Sequence, residues 1–213
     1  MDLLDRVYPV AAPFLERVDA SLSASGAPAG HPIWPLLRRL GALPGEVVSG
    51  LASLPPDGLT GASDALRRYA EGYERRADEV PMPAAWRGPA ADAYGDLWSA
   101  LSGALAGGPA TLAGRLADTA SYLDDVAAWT ARARRALAGT VAECLGSAEA
   151  LALKASGDAV AAATIGAHLL ATAAEILDDG RALHDRWTGR LVELSYRAPA
   201  PATPTGAGQL RIG

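Results

Sequence analysis

Histidine, cysteine and paired carboxylates are the side chains of this sequence that could carry out chemistry. The three histidines, His31, His168 and His184, are widely separated and lack the spacing of a metal site. His168 falls on an apolar stretch, which favours a hydrogen-bonded interior histidine over a metal ligand or a pH-sensitive switch. Cys144 is the single cysteine, so no internal disulfide and no cysteine-based metal site can form. A small buried hydrophobe is favoured over a reactive thiol at this position.

Two acidic pairs, Asp124-Asp125 and Asp178-Asp179, have the composition of catalytic carboxylates. Acidic pairs on the exposed faces of helices are far commoner, however. No nucleophile motif, phosphate-binding loop or His-Glu metal motif accompanies these pairs. We therefore predict a protein that is not an enzyme and that uses no metal and no cofactor.

The composition favours long helices that pack closely along smooth seams. Hydrophobic residues make up 50% of the 213 residues and charged residues 20%, so the chain can bury a core. Much of the apolar content is alanine, the best helix former. The net charge of -5 and the scattered arginine pairs do not indicate a nucleic-acid binder. All basic residues except Lys154 are arginine, which indicates a GC-rich genome of the actinobacterial kind.

Prolines and glycines divide the first half of the chain into elements. The proline spacing in residues 1–58 predicts an N-terminal cap of short helices with no long helix. The first long helix is predicted to begin near Thr60 or Ser63, either of which can serve as N-cap, and to stop before Pro81. A second helix is predicted from Pro89 to about Ala106. Residues 59–107 are thus expected to form an antiparallel helical hairpin.

The second half of the chain is predicted to supply long helices over residues 108–197, which complete an all-α antiparallel bundle. Gly146 allows a kink or break in the first of them, and Asp158 can cap a last helix that runs to about Tyr196. Residues 198–213 are rich in Pro, Ala, Thr and Gly, which predicts a flexible tail. A seven-residue spacing typical of a narrow coiled-coil seam joins Leu116, Leu123, Thr130, Leu137, Cys144 and Leu151.

A Trp-x-Gly segment stands between the two predicted hairpin helices. Its sequence is Ala-Trp-Arg-Gly-Pro-Ala-Ala-Asp-Ala-Tyr over residues 85–94, with Trp98 one turn later. This segment resembles the signature of the WXG family, the small helical hairpins of ESX, or type VII, secretion systems. The resemblance covers about residues 60–106 and implies that Trp86 and Gly88 form the hairpin turn. The alternative is an unrelated bundle in which Trp86 caps a pair of helices.

A two-helix hairpin leaves much of its apolar stripe exposed to water, although helices gain most of their stability by packing that stripe. In the WXG family the second hairpin usually comes from a partner chain. Here it could come from a helical partner, either another WXG-type protein or a second copy, or in cis from residues 109–196. The candidate interface comprises Tyr94, Leu97, Trp98, Leu101 and Leu105.

The resemblance implies a type VII secretion-associated protein, either a substrate or a co-secreted partner or adaptor, that acts through helix–helix contacts. The acidic start lacks the apolar core of a signal peptide, so we expect a cytoplasmic protein that would be exported, if at all, without the general secretory route. No tyrosine is followed four residues later by Asp or Glu, the export signal of many members or their partners. Export would then depend on a partner, or the protein is an unexported component.

A membrane-active helical protein is the alternative, since residues 159–177 are markedly apolar. That stretch contains several polar side chains and is marginal for a membrane span. An enzyme is the least favoured of the three functions considered.

Overall fold

The computed structural model describes residues 1–79 and 86–194, and no strand occurs in either range. The predicted all-α class is confirmed for these residues. The predicted turn after Pro81 lies partly outside them, and the predicted tail and the helix end near Tyr196 lie wholly outside them. The helices of the described ranges are α1 (Leu3–Ser25), α2 (Ile33–Leu40), α3 (Pro44–Ala52), α4 (Asp57–Glu79), α5 (Pro89–Leu105), α6 (Leu112–Leu145), α7 (Ala148–Ser156) and α8 (Ala159–Leu194).

α1 is one continuous helix of 23 residues, so the prediction that residues 1–58 hold only short helices is wrong for this segment. Pro9 and Pro13 lie inside the helix, four residues apart on its exposed side. The carbonyl groups that lose a helical partner there lie where water can bond to them, so the usual cost of proline is reduced. The opposite side of α1 buries Leu4, Ala11, Leu15, Val18 and Leu22.

α4 begins at Asp57, earlier than the predicted start near Thr60 or Ser63. Asp57 stands in the first turn, where its charge favours the helix dipole, and it directly follows a pair of prolines. Ser63 is therefore an interior residue of α4. It is fully buried, and its hydroxyl donates to the carbonyl of Thr60 at 2.9 Å.

The helix boundaries in the second half match the local sequence signals. α5 starts at Pro89, and Gly146 separates α6 from α7 with a bend of 59° between them. Asp158 caps α8 as predicted, since its carboxylate accepts from the backbone N–H groups of Val160 and Ala161 at 2.8 and 3.3 Å.

The core lies where α1, α6 and α8 pack together, with α2 and α3 closing one side. Of the residues in the predicted seven-residue seam, Thr130, Leu137 and Cys144 are buried in α6. Leu151 is 71% exposed, because the bend after α6 turns this part of α7 away from the core. At Gly166 a Cβ atom would lie 2.8 Å from Ile33 Cδ1 and 3.1 Å from Leu22 Cδ1 and Pro44 Cγ, so side chains of α1, α2 and α3 pack directly against α8 there.

α4 packs along α6, so one helix of the predicted hairpin has its partner within the same chain. The contact includes an ion pair between Arg67 and Asp124. It leaves α5 as the described long helix with the least packing, since none of its side chains is buried.

Candidate interaction surface

Trp86 and Gly88 stand at the entrance of α5. Gly88 has a φ of 106°, a conformation that strains any residue with a Cβ atom, and its carbonyl accepts from Ala91 N and Asp92 N at 2.8 and 3.1 Å. The rings of Trp86 and Tyr94 lie 5.4 Å apart between centroids, tilted by 53°. The tryptophan therefore folds back over the first turns of α5, and 47% of its surface stays exposed.

The apolar side chains of α5 are open to solvent. Leu97 is 61% exposed and Leu101 is 47% exposed, while Tyr94 is also exposed and Trp98 and Leu105 are half-buried. Full burial of one leucine side chain contributes about 2 kcal/mol, so this helix forgoes much of the stabilisation open to it. The candidate interface proposed from the sequence thus coincides with an exposed apolar surface.

α5 meets α4 near the C-terminal ends of both helices. The hydroxyl of Ser102 donates to the carbonyl of Ala77 at 3.2 Å. A hairpin paired from the turn onward would instead bring Ala77 opposite the first turn of α5. The predicted antiparallel pairing of α4 with α5 is therefore not confirmed.

The cysteine and one histidine share a cleft of about 270 Å³ between the end of α6 and α8. Cys144 Sγ lies 3.9 Å from His168 Nδ1, and His168 Nε2 lies 3.9 Å from a carboxylate oxygen of Glu143. Burial, with Glu143 and Glu149 nearby, raises the pKa of the Cys144 thiol to about 11, so it is protonated at neutral pH and a poor nucleophile.

Cys144 is 3% exposed, which confirms the small buried hydrophobe predicted from the sequence. The expectation of an interior position for His168 is wrong, since its side chain is 55% exposed. It lies on the side of α8 that turns out of the core, between buried neighbours such as Gly166 and Leu169.

The two acidic pairs connect helices. Asp124 bonds to Arg67, and this hydrogen bond lowers the pKa of the Asp124 carboxyl. Asp125 accepts from Trp187 Nε1 at 2.9 Å, and Asp178 pairs with Arg39. In the part of the chain that the structure describes, no three His, Cys, Asp or Glu side chains converge on a possible metal position.

Arg134 is a buried, ion-paired side chain, and neither its burial nor its partners were predicted from the sequence. It is 1% exposed, and its Nε lies 2.5 Å from a carboxylate oxygen of Asp2, while Asp5 binds its Nη2. Its Nη1 donates to the carbonyls of Leu51 and Ala52 at 2.7 and 2.9 Å. The guanidinium thus joins the start of α1, the end of α3 and the middle of α6 in a structural role.

α8 is long and apolar enough to cross a membrane on length and composition alone, and the bent pair of α6 and α7 passes the same test together. Half of the most apolar window of α8 is buried inside the molecule. Ala162, Leu169 and Leu170 from this helix are core residues. Core helices commonly have this composition, so the test is weak support for a membrane span.

No protein-family model, no curated protein and no solved structure matches this chain. Among the described residues, the exposed apolar surface of α5 is the strongest candidate for a functional site.

Proposed function

We propose that this chain is a type VII (ESX) secretion-associated protein, a substrate or a co-secreted partner or adaptor, that binds a helical partner through α5. The observation that carries the proposal is the exposure of α5, a 17-residue helix without a buried side chain. The Trp-x-Gly segment that resembles the WXG signature stands at the start of this same helix. The chain acts by binding and not by catalysis.

The chemistry of α5 supports a protein-binding surface. Leu97 and Leu101 are one turn apart on one face, the spacing with which amphipathic helices present side chains to a partner. The Trp86–Tyr94 ring pair adds two aromatic side chains of the kind that dominate binding energy at interfaces. Exposed apolar side chains grouped in this way mark interaction sites more often than isolated ones do.

The proposal is tested by deleting the type VII ATPase gene in the source organism and following this protein in cells and culture filtrate. A substrate or co-secreted partner accumulates in the cells of the deletion strain and disappears from the filtrate. An adaptor stays in the cell but co-purifies with another type VII component from the parent strain. An unchanged distribution together with no such component contradicts the proposal.

Membrane activity is the second candidate, on the single observation that α8 has a sufficiently long apolar stretch. Flotation with liposomes of anionic and neutral lipid at neutral and acidic pH separates the two functions. A membrane-active protein floats with the vesicles, whereas the proposed helix-binding protein stays at the bottom of the gradient.

A further inference from the structure

We draw no further inference here: the strongest candidate, the shallow notch on α4 between Arg68, Tyr69, Gly72, Tyr73 and Arg76, is an open surface patch, and nothing in the structure shows what covers it.

Discussion

At the scale of single residues, Arg134 has the strongest structural consequences. Its side chain is buried, and its hydrogen bonds satisfy carboxylates of α1 and carbonyl groups at the end of α3. A guanidinium is weakly hydrated and offers five donors in a fixed plane, which suits it to such a buried position. The three segments that it joins are far apart in sequence, so the ion pairs stabilise the tertiary arrangement and not one helix.

Replacing Arg134 by Ala is expected to lower the free energy of unfolding by about 3 kcal/mol. The carbonyls at the end of α3 lose their donor, whereas Asp2 and Asp5 are partly exposed and can be rehydrated, which keeps the loss at the lower end for a buried pair. Urea unfolding measures the effect. Arg135→Ala, next to it and exposed, should change stability by less than about 0.5 kcal/mol, and equal effects at both positions would contradict the role given to Arg134.

Asp2 links stability to pH. The hydrogen bond from Arg134 is the main cause that lowers the pKa of its carboxyl from 3.8 to about 2. A depressed pKa means that this contribution is complete above about pH 4 and is lost as pH falls toward 2. Asp2→Asn keeps a capping side chain, so it should cost about 1 kcal/mol at pH 7 and nothing near pH 2. A stability difference that is constant between pH 7 and pH 2 would refute the linkage.

The pH dependence of stability that arises from Asp19 has the opposite sign. Burial is the main cause that raises the pKa of this carboxyl, and its charged form accepts from Gly45 N at 3.0 Å. A raised pKa means that the folded state binds the proton more tightly, so stability falls as pH rises through the pKa of Asp19. Asp19→Asn keeps the acceptor for Gly45 and removes the buried charge. We expect it to be more stable than the wild type at pH 7, with the difference gone below about pH 4; a less stable variant at pH 7 would argue against this.

At the scale of helices, the helix starts, breaks and caps that depend on short-range sequence signals were predicted correctly. Pro89 at the first position of α5, the break at Gly146 and the cap at Asp158 each depend on the residue itself and its neighbours, and each is found where predicted. α1 was missed because the cost of its two prolines depends on which side faces water, which only the packed structure decides. The role of Arg134 was missed because its partner Asp2 lies 132 residues away.

The candidate interface was predicted in part. The sequence placed Leu97 and Leu101 on one apolar face of a helix, but it could not decide whether that face is covered within the chain. In the structure α4 packs on α6, and α5, which bonds to α4 through Ser102 and Ala77, has no buried side chain.

Leu97→Asp combined with Leu101→Asp tests the exposed face of α5. Both side chains are exposed, so thermal unfolding should change by no more than the equivalent of about 0.5 kcal/mol while partner binding is lost. The measurement is recovery of type VII proteins or of a second copy with each variant. Leu151→Asp, on the exposed side of α7, is the matched control and should retain binding. A strong loss of stability in the α5 variant would mean that this face is packed in the isolated chain.

At the scale of the whole molecule, packing is unevenly distributed. α1, α6 and α8 form the core, α4 lies along α6, and α5 stays outside with no buried side chain. Local stability follows buried apolar contact, so the parts of the molecule should open with very different free energies. We expect backbone amides of α5 in the isolated monomer to exchange hydrogen much faster than those of α1 and α8. Protection of α5 equal to that of α1 in hydrogen-exchange mass spectrometry would contradict this distribution.

The proposed function requires that the exposed face of α5 binds a helical partner. Photo-crosslinking in the source organism tests it most directly, with a benzophenone amino acid placed at residue 97 or, as control, at residue 151. We predict an adduct between residue 97 and a helical type VII component or a second copy of this chain, and no such adduct from residue 151. An absence of adducts at residue 97, or the same adducts from both positions, would contradict the claim.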